Sequence, residues 1–93
     1  MMTTLKRQNK MGLSYEFRGE LMGTETTIEC VSLKKTLMVK HNIVQMNRAW
    51  FNWIRLGQFI QEAFQFLDAG EREFLMTGIL PAEFIVLMGE IDE

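Results

Sequence analysis

The sequence is short of the residues on which most catalysis and metal binding depend. Its 93 residues include one cysteine, one histidine and one proline. A lone Cys30 excludes an intramolecular disulfide. Its expected state is a buried free thiol that packs as a small hydrophobe. His41 and Cys30 lie on different segments, with no spacing that marks a dyad. Ser14 and Ser32 have no elbow motif around them. No Cys/His cluster has zinc spacing, and no glycine precedes a Lys-Ser or Lys-Thr pair, so a phosphate loop is missing. Glu71 and Glu73 stand two apart on a short predicted helix. They therefore face different directions, which does not suit paired-carboxylate chemistry. The acidic end, "GEIDE", reads as a solvated terminus. The expectation is a protein that is not an enzyme and has no metal or cofactor.

Long apolar runs are also missing. The most apolar region, residues 43–67, is interrupted by Asn47, Arg48, Asn52, Arg55 and Glu62. A membrane span wants about 20 nearly uninterrupted apolar residues. "MMTTLKRQNKMG" is basic but leads into no apolar stretch, so it does not read as a secretory signal. No membrane partner and a cytoplasmic setting are expected.

What is present fits one folded domain. Apolar residues make up 47% and charged residues 24% of the chain, ordinary values for a globular protein. Charge is divided unevenly. Residues 1–55 carry nine of the ten Lys and Arg, and residues 56–93 carry eight of the twelve Asp and Glu. Such a division can mark a nucleic-acid surface, or two halves that attract each other. The basic residues never cluster beyond a pair or triplet and the pI is slightly acidic, so a dedicated nucleic-acid binder is not expected.

Residues 1–12 lack periodicity and read as a flexible leader. "LSYEFRGELM" then alternates, with Leu13, Tyr15, Phe17, Gly19 and Leu21 on one face, as a half-buried strand does. Gly23 marks a turn, and "TTIECVSL" is rich in β-branched residues and reads as the second strand of an antiparallel hairpin. "TLMVK" (36–40) suits a short third strand or the first turns of a helix; Val39 favours the strand. Residues 13–40 thus form a hairpin or meander. Asn42, with Gln45 three residues on, has the pattern of an N-cap and its partner. Met46, Trp50, Trp53, Gly57, Ile60, Phe64 and Leu67 then recur at helical spacing. They predict one long helix over 42–67, in which Gly57 lets another backbone approach.

The segment "EREFLMTGILPAEF" (71–84) reads as punctuation. Asp68 caps a short helix, with Glu71 as its capping-box partner. Gly78 ends that helix in the left-handed conformation. Pro81 opens a second helix with Glu83 near its start, and Gly89 stops it. Residues 68–89 form a two-helix lid. The fold class is therefore α+β: an antiparallel two- or three-stranded sheet, a long amphipathic helix and a short C-terminal helix–corner–helix.

"IQEAF", "EREFLMTGI" and "PAEF" together resemble a pattern in small uncharacterised proteins of tailed bacteriophages. The resemblance covers about residues 57–88 and implies no assigned activity or functional residue. It implies a phage setting, in which short accessory proteins often bind host machinery, including antiviral defence systems.

Three surfaces are candidates for function. On the far side of the predicted long helix, Phe51, Phe59 and Phe66 share a face with Arg48, Arg55 and Glu62. This face either packs beneath the lid or meets a partner, and aromatic residues and Arg are enriched at interfaces. A chain this short also gains core by pairing with itself, so a homodimer is expected. The acidic lid face of Glu71, Glu73 and Glu83 could mimic nucleic-acid phosphate. Trp50 and Trp53, on the core seam, are expected to pack internally. Alternatively they stack a nucleotide, with Arg48 or Arg55 at its phosphate. The leading expectation is a phage-type protein that blocks a host bacterial protein. The alternatives are a protein that sequesters a nucleotide signal and a virion or assembly component.

Overall fold

Four antiparallel strands in sequential order make the sheet: β1 (Met2–Gln8), β2 (Ser14–Glu20), β3 (Thr26–Cys30) and β4 (Lys35–Val39). The computed structural model describes residues 1–91, with side-chain surroundings over 1–87. Alternation sets the faces, because successive strand side chains point to opposite sides. Tyr15, Phe17, Thr26, Ile28, Cys30 and Val39 are buried on the inner face. Across the outer face Arg18 bridges Glu16 and Glu29, each at 3.1 Å. The register pairs Leu5 with Phe17, Phe17 with Ile28 and Ile28 with Leu37, one apolar row across all four strands.

Four helices follow: α1 (Ile43–Ile54), α2 (Ile60–Ala63), α3 (Ala69–Thr77) and α4 (Pro81–Ile91). The Asn42 side chain caps α1 by accepting from the Val44 N–H at 2.7 Å. Its Nδ2 donates to the carbonyls of Leu21 and Gly23, which ties α1 to the β2–β3 turn. Gln45 takes no part in this cap among the described hydrogen bonds. The Asp68–Glu71 capping box forms as expected, and Gly78 closes α3 at φ +79°.

The fold differs from the sequence expectation in three ways. The sheet has four strands, because the expected leader supplies β1. The expected helix over 42–67 is broken, and among the described residues no helix exceeds the 12 residues of α1. Gly57 takes φ +76° and the Gln58 N–H reaches the Asn52 carbonyl at 3.1 Å, a helix-ending arrangement that uses glycine's left-handed freedom. A Cβ on Gly57 would meet nothing within 4 Å, so this glycine supplies backbone conformation and not close approach. Finally, α4 continues through Gly89 to Ile91.

The core survives the break. Met46, Trp50, Trp53, Ile60, Phe64 and Leu67, the apolar seam of the sequence, are all buried. Trp50 meets Phe17 and Trp53 edge-on, at centroid distances of 5.4 and 5.1 Å. α3 lies over the strands through Phe74 and Leu75, and the Tyr15 hydroxyl donates to the Phe74 carbonyl at 2.6 Å. Burial, and then the neighbouring Cys30 thiol, push the Tyr15 phenol far above its usual pKa.

Candidate functional site

The β1 edge and α1 enclose a cleft of about 360 Å³. β1 contributes Lys6, Arg7 and Gln8, and α1 with its C-terminal turn contributes Asn47, Trp50, Phe51, Ile54 and Arg55. Arg7 points to the helix-covered face, but β1 is an edge strand, so its side chain stays half-buried. Asn47 holds it: Oδ1 accepts from Arg7 Nε at 2.9 Å and from Nη2 at 2.6 Å. Nη1 donates to the Lys6 carbonyl at 2.7 Å. The guanidinium is thus fixed in place by neutral oxygens.

Neither Lys6, Arg7, Arg48 nor Arg55 forms an ion pair among the described residues. No carboxylate among the described residues lines the cleft. Cations held without counter-charge beside apolar walls favour an anionic group at the opening.

The turn after β1 keeps that strand in place. Asn9 is buried, and its Nδ2 donates to the carbonyls of Leu75 and Met76, each at 2.9 Å. Its Oδ1 accepts the N–H groups of Met11 and Leu13, each at 3.0 Å. One side chain thus closes the β1–β2 turn and caps the end of α3.

The structure separates the expected site residues. Arg48, Phe51, Arg55, Phe59 and Glu62 are exposed. Arg48, Phe51 and Arg55 follow one another at helical spacing, and Leu56 joins them at the surface, 64% exposed. Phe66 is not on this face. It is half-buried, with its ring 4.8 Å from His41 and 5.9 Å from Phe64. The break at Gly57 removes the single helical face on which Phe51, Phe59 and Phe66 were expected to lie.

The expected nucleotide set of Arg48, Trp50, Trp53 and Arg55 is also divided. Only Trp50 and Arg55 line the cleft. Trp50 is engaged by Tyr15, Phe17 and Trp53, and Trp53 by Phe64, so the indoles are occupied by core contacts. The acidic lid residues each have a local partner. Glu71 completes the α3 capping box, Glu73 accepts from the Thr77 hydroxyl at 2.9 Å, and Glu83 pairs with Lys35. The Lys35 ammonium, and then the Leu80 N–H, hold the Glu83 carboxyl below its usual pKa.

Sequence reasoning missed Lys6, Arg7, Asn9 and Asn47. The signal for Lys6 and Arg7 was weak: "MTTLKRQ" alternates, but Leu5 is the only large apolar residue at its inward positions. No helix of the described residues is long and apolar enough to cross a membrane. No family model matches this chain, and it matches no curated protein and no solved structure.

Proposed function

We propose that this is a non-enzymatic, phage-type accessory protein that binds and blocks a protein of the bacterial host. One observation carries the reading. Phe51, Leu56 and Phe59 are 51%, 64% and 69% exposed within nine residues of chain, with Arg48 and Arg55 exposed beside them. Large apolar side chains at the surface cost hydration free energy, and exposed patches of this kind mark binding sites. Aromatic and Arg side chains are also the types that dominate interface energetics. The phage setting rests on the resemblance of residues 57–88, and inhibition of an antiviral defence system fits it. The same face is the one through which a homodimer would form. The nucleotide reading is the weaker, because both indoles are already packed in the core.

The test is a capture experiment from bacterial cells, with the chain carrying a photo-crosslinking residue at Gln58 and compared with a Phe51→Ser, Phe59→Ser double variant. A host protein joined to the first and lost from the second is the expected result. Crosslinking that is unchanged by the double variant, or that yields only a second copy of the chain, rejects this surface as the host-binding site.

A further inference from the structure

The geometry points to strand addition at β1. The groove between the β1 edge and α1 takes an extended, acidic–apolar peptide segment of a protein partner, paired backbone to backbone with Thr4, Lys6 and Gln8. This deepens the protein-binding reading above and rests on it.

The β1–β2 turn fixes which way the edge backbone points. The Asn9 N–H bonds the Leu13 carbonyl at 3.0 Å, and the register continues as Gln8↔Ser14, Arg7↔Tyr15 and Lys6↔Glu16. Antiparallel pairs alternate between hydrogen-bonded and non-hydrogen-bonded. Leu5 and Arg7 therefore direct their N–H and C=O groups to β2, while Thr4, Lys6 and Gln8 direct theirs away from the sheet. The Arg7 guanidinium meets the Lys6 carbonyl on that outward side. The carbonyl keeps a second lone pair for another donor. Among the described residues β1 has no strand on its other side. An unpaired edge is a template for a further strand.

Charge and shape choose the occupant. Arg7 and Arg55 face the groove with no carboxylate of the described residues beside them, and Phe51 and Ile54 form its apolar wall, while Lys6, one residue out of step with Arg7, stands exposed at the same edge on the outer face. An added strand alternates as well, so an acidic–apolar segment sets its apolar side chains against Phe51 and Ile54 in the groove and its acidic ones beside Lys6 on the outer face. A second β1 is the wrong occupant, because the antiparallel pairing that uses all three outward residues, Thr4 with Gln8 and Lys6 with Lys6, sets like charges directly opposite each other. The seven residues of β1 extend about 20 Å at about 3.3 Å per residue, which accommodates a partner segment of similar length.

The probe is a fluorescein-labelled decapeptide of alternating glutamate and valine, titrated into the full chain and followed by fluorescence anisotropy. A lysine–valine decapeptide and a thymidine decanucleotide serve as comparisons. Saturable binding of the glutamate peptide alone is expected. Lys6→Ala should weaken it about threefold by loss of one exposed charge. Lys6→Pro should weaken it about tenfold more, because it also removes an outward N–H. On the unaltered chain, hydrogen–deuterium exchange at the Lys6 and Gln8 amides should slow with peptide bound. That readout decides the matter if the proline variant does not fold. Absence of saturable glutamate-peptide binding, unchanged exchange at those amides, or tighter binding of the oligonucleotide would each overturn strand addition. If it fails while capture dependent on Phe51 and Phe59 persists, the protein-binding reading stands. If both fail, neither does.

Discussion

The two edges of the sheet are built on opposite terms. At β1 the backbone faces outward, cations lack counter-charges, and the strand is secured from within by Arg7 on Asn47 and by Asn9 under α3. At β4 the cation is already matched: Lys35 Nζ meets both Glu83 carboxylate oxygens, at 2.8 and 2.9 Å. That pair joins the start of β4 to the first turn of α4, beyond which Ile85, Val86 and Leu87 are exposed. One edge is held by buried polar anchors and leaves a charged groove open. The other meets the start of α4 through a surface ion pair, beside a glycine corner. Anchors inside a core should govern global stability, and surface contacts only local order.

This contrast can be broken by four substitutions, ordered from the largest expected effect. Asn9→Ala removes a buried side chain with four hydrogen bonds. It should cost about 3 kcal/mol by urea unfolding, since several groups lose their partners at once. Gly78→Ala acts at the α3–α4 corner. A Cβ there would lie 2.5 Å from Leu33 Cδ1 and 3.3 Å from Cys30 Sγ, at φ +79°. Strain and crowding together should cost about 2 kcal/mol, read as a lower urea midpoint. Tyr15→Phe removes one of the two donors to the Phe74 carbonyl, which keeps the Gly78 N–H, and should cost about 1 kcal/mol.

Tyr15 also makes a pH prediction. Its phenol is held protonated in the fold, whereas an unfolded tyrosine ionises near about pH 10. Above that pH the unfolded chain binds fewer protons than the folded one, so stability falls as pH rises. Melting curves between neutral pH and high pH should show this slope in the native chain, and Tyr15→Phe should flatten it.

The smallest effect belongs to Glu83→Gln. Its depressed carboxyl contributes above the ordinary carboxylate range and loses that contribution as pH falls through the lowered folded value. The pair is exposed, so the urea midpoint should not move measurably. Amide exchange at Leu80, whose N–H bonds Glu83 at 2.9 Å, should quicken. A Glu83→Gln loss as large as that of Asn9→Ala would refute the contrast between the edges.

Local chemistry made much of the chain legible. β2 and β3 alternate cleanly, Asn42 and Asp68 carry N-cap signals, and Gly78 and Pro81 mark a corner. These features depend on a few neighbouring residues, so they persist in any fold that contains them. The apolar seam named the right core residues from Met46 to Leu67, but its spacing did not reveal the break. Helical periodicity reports which side chains turn inward. It does not exclude a left-handed glycine that lets the chain bend and still bury Ile60, Phe64 and Leu67.

β1 was not legible for a related reason. An edge strand buries only half of its inward side chains, so selection for apolar residues there is weak, and Thr3 and Arg7 are tolerated beside Leu5. The candidate cleft follows from that strand. Arg7 and Asn47 are 40 residues apart and meet only once the sheet is complete. Near-neighbour chemistry was enough for the inward faces of β2 and β3, the helix caps, the corner at Gly78 and most of the core. Long-range packing was needed to make the first residues a strand, to bend the long seam at Gly57 and to bring Arg7 and Arg55 to one groove. The physical reason is range: caps and alternation are interactions between near neighbours, whereas an edge and a groove exist only between segments distant in sequence.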